Sequence, residues 1–293
     1  MKRADNNTIH IFCSASKSRL KEVNNLLIPS LEKQTIRNKI LLTLVDYTGK
    51  KTFSKEDIKS NKLDINILYP NKALGFGESH NFAFYKTKPH KFFLIINPDI
   101  YMDKNCLKEL VSSFKKDVAL VEARQLPFTH PKDTPKEETF ETNWASGCCL
   151  LINSLFFEKV NGFDPNYWMY LEDVDLSWKA WINEYKVVQN PRAVVYHYTG
   201  IYFRYNQNSY EIEDFWSMRN FLYISYIYFG AKGVKKAKEW ISKTSYPKEF
   251  RNKAIENFEE LMNKNEPERI MVPTYCNERI KIYGYNKFSE HPK

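Results

Sequence analysis

Apolar positions along the chain fall into short continuous runs that alternate with segments of helical spacing. Residues 9–13 form a first apolar run. Residues 40–45, closed by Asp46, form a second of the kind found in buried parallel strands. Residues 65–69 and 91–96 supply a third and a fourth. Between the first two, Leu20, Val23, Leu27 and Leu31 mark one face of a helix over 17–34, which Pro29 is expected to kink. A helix over 78–85 follows a glycine-bearing loop, and Asp103 is a candidate N-cap for another that runs to 116. Residues 118–123 and 144–152 read as strands, 172–183 as a helix, and 186–189 and 193–197 as two further strands. Residues 126–138 carry three prolines and mixed charge, so they read as a loop.

Strands alternating with helices predict an α/β layout with a mostly parallel sheet. Ligands of such sheets bind beyond the carboxyl ends of the strands. Asp46, the 71–81 loop and Asn97-Pro98-Asp99 all fall at those ends. From about residue 201 the pattern changes to an aromatic helical stretch over 214–229, then basic helical segments to about 265. The division expected is 1–200 for the α/β domain and 201–293 for a helical extension.

The chain has 293 residues, 43% of them hydrophobic, which is enough for a substantial core. A formal charge of +9 is compatible with nucleic acid, an anionic membrane surface or a phosphorylated substrate. The lysines are scattered and no nucleic-acid motif accompanies them, so nucleic acid is the weakest of the three. Five cysteines without a C-x-x-C pair suit a reducing compartment. The polar N-terminus lacks the apolar core of a signal peptide, and no apolar run approaches the roughly 20 residues of a spanning helix. A cytoplasmic protein, free or peripheral on the inner face of a membrane, is the expectation.

Several constellations carry chemistry, and each also has a plain structural reading. Asn97-Pro98-Asp99 after an apolar strand is a common turn; functionally, Asp99 at that place offers an oxygen to Mg²⁺ or Mn²⁺. In the loop from Asn71 to Asn81, Gly75 and Gly77 permit either a tight turn or close approach of an anion to a helix N-terminus. Glu172, Asp173 and Asp175 lie in the first turn of a helix, where the dipole alone favours carboxylates. Beside Trp168, Tyr170 and Trp178, however, a carboxylate in a partly apolar pocket is a candidate general base. His197 at a strand end is either a packed side chain or a metal ligand beside Asp99.

Taken in order, these motifs resemble the inverting family 2 glycosyltransferases of the GT-A fold, in particular the rhamnosyltransferase-like branch. The resemblance rests on Asp46, Gly75 to Asn81, Asn97 to Asp99, Ser146-Gly147, Gly162-Phe163-Asp164, Trp168 to Leu176 and Val195 to His197, and so covers roughly residues 8–200. Arg219-Asn220 resembles the pair that opens the family's C-terminal helix. The implied fold is a central, mostly parallel mixed sheet flanked by helices, with residues 1–100 holding the nucleotide-sugar and 101–200 the acceptor. It implies donor contacts from Ser14, Asp46, Asn71, Gly75, Phe76, Gly77, Asn81, Asn97 and Asp99, and acceptor contacts from Trp144, Gly147 and Glu172. Asp99 and His197 would ligate Mg²⁺ or Mn²⁺, and Asp173 would be the catalytic base.

The chain departs from the family at Cys13-Ser14-Ala15 and at Tyr47-Thr48-Gly49, positions that bear on which donor is bound. The implied partners are a nucleotide-diphospho-sugar, with dTDP-rhamnose and UDP-sugars both admitted, and a glycan or lipid-linked acceptor. A homo-oligomer is compatible with all of this. So is a basic, aromatic helical surface over 215–238 resting on anionic lipid, or packing its aromatics on the catalytic domain. The alternative function is a catalytically silent member that binds a sugar nucleotide or a protein partner as a scaffold.

Overall fold

A computed structural model describes residues 7–60, 62–127, 140–198, 207–264 and 266–289. Its strands are β1 (Thr8–Ala15), β2 (Lys39–Asp46), β3 (Asp64–Leu68), β4 (Phe92–Ile96), β5 (Ile100–Met102), β6 (Val118–Leu126), β7 (Cys149–Asn153) and β8 (Lys186–His197). They form one sheet in the order β3-β2-β1-β4-β7-β6-β8-β5. The pairings β3·β2, β2·β1, β1·β4 and β6·β8 are parallel, while β7 runs antiparallel to both β4 and β6, and β5 to β8. The sheet is therefore mixed and mostly parallel, as expected. Strand order reverses between β1 and β4, so the ligand crevice of an open α/β sheet opens at their carboxyl ends. Ser14 and Asn97 sit there.

Both faces of the sheet are covered, which is why its central strands read as unbroken apolar runs rather than as alternating ones. Ile9, Ile11, Leu94 and Ile96 point into one buried cluster, with Leu20, Leu27, Leu107 and Leu110 from the helices on that side. Phe12, Phe93 and Ile95 point into the opposite one, with Phe84, Phe156 and Phe157. The helices are α1 (Leu20–Glu22), α2 (Ile28–Leu31), α3 (Phe76–Thr87), α4 (Cys106–Ser112), α5 (Ser154–Lys159), α6 (Glu172–Ile182), α7 (Gln207–Ser242) and α8 (Lys248–Lys264).

The kink expected at Pro29 takes a specific form. A 3₁₀ turn, α1, a π turn over Val23–Leu27 and α2 follow one another without a break. Pro29 lacks an N–H and its ring crowds the preceding turn, so the wider turn lies immediately ahead of it. The expected strand over 144–152 is shorter, beginning only at Cys149. Ahead of it, Ala145 N–H bonds Ser177 Oγ at 3.0 Å and Gly147 N–H bonds Asp173 Oδ2 at 2.9 Å. Those donors serve α6 instead of a neighbouring strand. The two strands expected over 186–197 are one, with a register shift opposite Ala123 and Arg124. Short β5 and α5 have no counterpart in the sequence reading, since three and six residues are too few to show a period. The proline-bearing loop lies mainly outside the described residues.

The extension is joined to the sheet domain by a third core. Met218, Phe221, Leu222, Ile224 and Tyr228 of α7 and Phe258 of α8 are buried with Trp144, Tyr167, Leu171, Val174 and Trp178. The α7 aromatics thus pack inward, and Lys232, Lys235 and Lys236 are left exposed. Among the described residues no helix is long and apolar enough to cross a membrane.

Candidate active site

Four loops meet at the mouth of the crevice. The Asn97-Pro98-Asp99 motif is a turn and a site at once: it joins β4 to β5, and Asn97 N–H bonds Cys148 O at 2.9 Å. Asp99 is 4% exposed. Its Oδ1 lies 3.5 Å from His197 Nε2, and its Oδ2 accepts from Arg19 Nη2 at 3.0 Å. The two residues expected to hold a metal are therefore brought together, because β5 pairs with the end of β8 in the register Ile100 to His197.

His197 is oriented from behind. Its Nδ1 lies 3.1 Å from Gln125 Oε1 and 3.6 Å from Cys148 Sγ. A neutral ring carries one proton, and ligation of a metal through Nε2 would require it on Nδ1, where Gln125 Oε1 is placed to accept it. One carboxylate and one imidazole suit Mg²⁺ or Mn²⁺, hard ions that commonly take few protein ligands and complete their shell with water and phosphate oxygens. Among the described residues no group of three or more His, Cys, Asp or Glu gathers into a larger metal site.

The acidic run separates by environment. Asp175 is 1% exposed, its Oδ1 accepting from Tyr228 OH at 2.9 Å and its Oδ2 lying 2.6 Å from Lys179 Nζ. Its task is structural. Glu172 is also buried, and burial first, then the neighbouring Asp173, push its carboxyl well above the usual carboxylate range. The structure sets it against Gly77 in the interior, where its Cγ lies 3.5 Å from where a Cβ on that glycine would stand. Asp173 alone of the three is half-exposed. Gly147 N–H at 2.9 Å and Val174 N–H at 2.8 Å fix its two oxygens in orientation.

The Gly147-Cys148 dipeptide links the two halves of the site, since Gly147 holds Asp173 while Cys148 touches both His197 and Asn97. On the other side, Tyr170 and Leu171 have left-handed backbone (φ 72° and 67°) just before α6. Side chains rarely adopt that conformation, and it costs roughly 1–3 kcal/mol per residue. Asn220 of α7 holds the turn, its Nδ2 donating to Met169 O and Tyr170 O at 2.7 Å each. The Arg219-Asn220 pair noted in the sequence thus braces the segment that presents Asp173.

Most of the other residues expected to contact donor or acceptor have partners within the protein. The glycine loop is tight because protein approaches it closely. A Cβ on Gly75 would stand 2.3 Å from Trp168 O, and one on Gly77 2.7 Å from Phe163 Cβ. Phe76 N–H, the first helical donor of α3, already bonds Trp168 O at 2.8 Å and is not offered to an anion. Asn81 commits its amide to Phe163, donating to its O at 2.8 Å and accepting from its N–H at 2.9 Å. Asp46 is fully buried and accepts from Thr48 Oγ1 at 2.6 Å, Thr52 Oγ1 at 2.9 Å and Thr52 N–H, so it shapes its own loop. Trp144 is 9% exposed and packs edge-on to Phe288, and Trp178 is wholly buried against Tyr228, so neither lines an open pocket. Asn71 is exposed, and Ser14 and Asn97 are half-buried at the crevice. No local pattern in the sequence marks Arg19 or Gln125, whereas Cys148 directly follows the Ser146-Gly147 motif.

No family model matches the chain. An N-acetylglucosaminyl-diphospho-decaprenol L-rhamnosyltransferase of Mycobacterium tuberculosis is 44% identical over 55 residues, 19% of this chain and 18% of that protein. The rhamnosyltransferase WbbL of Escherichia coli is 25% identical over 138 residues, covering 35% of this chain and 52% of the relative. The chain therefore matches about a fifth and about half of the length of these curated relatives. Among solved structures, the mannosyltransferase PcManGT of Pyrobaculum calidifontis, in complex with GDP-Man and Mn²⁺, superposes with a TM-score of 0.57 at 14% identity, over 89% of this chain and 71% of that one. Together with the sheet order, this shows the GT-A fold of the nucleotide-sugar glycosyltransferases. The partial sequence relatives are glycosyltransferases as well.

Proposed function

We propose that the chain is a metal-dependent inverting glycosyltransferase. It moves a sugar from a nucleotide-diphospho-sugar, dTDP-rhamnose or a UDP-sugar, to a hydroxyl of a glycan or lipid-linked acceptor. The observation that carries the proposal is the approach of His197 Nε2 to Asp99 Oδ1 at 3.5 Å, one dipeptide away from a half-exposed Asp173. The partial relatives, both rhamnosyltransferases by name, favour a deoxysugar donor, and the name of the mycobacterial one favours a lipid-linked acceptor.

In this reading the acceptor oxygen forms a bond to the anomeric carbon as the bond to the diphosphate breaks. Asp173 takes the hydroxyl proton, an effect worth about 10²–10⁴-fold in rate. Gly147 N–H keeps that carboxylate aimed, and Gln125 keeps His197 in the ligating tautomer. Asp99 and His197 would hold a divalent cation, whose charge would offset the negative charge growing on the departing diphosphate. Inversion needs no second, nucleophilic carboxylate, and the burial of Glu172 and Asp175 accords with a single base.

The test is a thermal-shift panel of dTDP- and UDP-sugars with and without Mn²⁺, followed by transfer assays. Asp173→Asn should retain Mn²⁺-dependent stabilisation by the donor and lose transfer by at least about 10²-fold. Asp99→Ala should lose the Mn²⁺ dependence. Near wild-type turnover in Asp173→Asn would remove the base, and donor binding indifferent to chelator would remove the metal.

A further inference from the structure

Arg19 lies one turn beyond the end of β1, at the crevice where strand order reverses. Its Nη2 sits 3.0 Å from Asp99 Oδ2, and its Nη1 3.3 Å from Glu22 Oε1. The Asp99 side chain is 6% exposed and that of Arg19 is 19% exposed, so the carboxylate is almost wholly buried and Arg19 is the more accessible partner of the pair. A guanidinium is permanently charged, and its planar fork suits phosphate oxygens as well as carboxylates. The carboxylate it pairs with is the one assigned to the metal. A divalent cation arriving at Asp99 therefore displaces a resident positive charge, and two cations cannot share one buried carboxylate without mutual repulsion.

From this geometry we propose that Arg19 is a diphosphate-binding residue held on the metal's own carboxylate until the donor arrives. Without donor, Arg19 neutralises Asp99 and keeps the buried charge paired. When the cation enters with a nucleoside diphosphate, the guanidinium leaves Asp99 Oδ2 and pairs with the diphosphate oxygens, which bring the negative charge it has lost. The ion pair thus disfavours metal binding alone and favours metal and diphosphate together. The inference rests on the metal-dependent reading of the site and assigns Arg19 a part in it.

Opposite signs make the proposal testable. Calorimetric titration of the full chain with MnCl₂ alone should give tighter binding in Arg19→Gln than in wild type, on the order of tenfold. Titration with inorganic pyrophosphate at saturating Mn²⁺ should give weaker binding, also on the order of tenfold. Arg19→Lys keeps the charge without the fork and should fall between the two in both titrations. In wild type, the Arg19 Nε–H signal in the NMR spectrum should shift on adding Mg²⁺ with pyrophosphate and remain with Mg²⁺-free pyrophosphate, a readout that needs no variant. Both affinities falling together in Arg19→Gln, both rising together, or neither moving would overturn the role of Arg19 while leaving the metal site standing. A folded wild type that binds neither Mn²⁺ nor Mn²⁺-pyrophosphate would instead overturn the underlying reading.

Discussion

His80 shows how burial decides a residue's chemistry. It lies in the glycine-loop motif, yet it is wholly buried, with Phe76 edge-on at 4.6 Å. Burial pushes its imidazole down to about 3. An unfolded chain binds that proton near pH 6.5, so the folded state loses stability as pH falls below 6.5 and keeps it above. Between pH 7.5 and 5.5 the loss from this residue is about 1.4 kcal/mol. His80→Phe should therefore lose about that much less than wild type over the same interval, measured by urea unfolding at both pH values. Equal losses would mean that water reaches the ring. Glu172 titrates in the opposite sense. Its carboxyl is raised by burial, so its contribution is full below the ordinary carboxylate range and is lost as pH rises through its folded value.

At the scale of elements, the segment before α6 depends on α7. Tyr170 and Leu171 hold left-handed backbone where Asn220 satisfies two carbonyls, and Asp173 follows within two residues. Asn220→Ala leaves those carbonyls without their donor. It should cost about 2–3 kcal/mol in urea unfolding, from two hydrogen bonds at about 1 kcal/mol each and the desolvated oxygens they leave. Transfer should suffer in kcat more than in donor KM, because the base is misaimed while the donor side is untouched. A rise in donor KM at constant kcat would argue against a positioning role. The same scale explains where sequence reading stopped. The acidic run, the strand-end Asp99 and His197 were legible because residue type and strand end coincide in the chain. Arg19 and Gln125 were not, since each meets its partner across 80 and 72 residues of sequence.

At the scale of the whole molecule, the extension shares a buried core with the sheet domain. Trp178, Leu171 and Val174 of the α6 region are buried with Met218, Phe221 and Phe258 of α7 and α8. A shared core of that kind predicts one cooperative unfolding transition, with tryptophan fluorescence and far-ultraviolet circular dichroism giving coincident curves in urea. Separate transitions would show that 207–264 folds apart from the sheet.

The sequence by itself determined the α/β alternation, the strand ends that carry chemistry, and the order of motifs from Asp46 to His197. These follow from apolar runs and residue types that are local in the chain. It did not determine which face of a motif meets a ligand. Gly75 and Gly77 make room for Trp168 and Phe163, and Asn81 braces Phe163. Only the tertiary structure decided which carboxylates stay in contact with solvent, because exposure depends on neighbours distant in sequence. Asp175 is covered by Tyr228 of α7, while Asp173, two residues earlier, stands half-exposed beside Gly147.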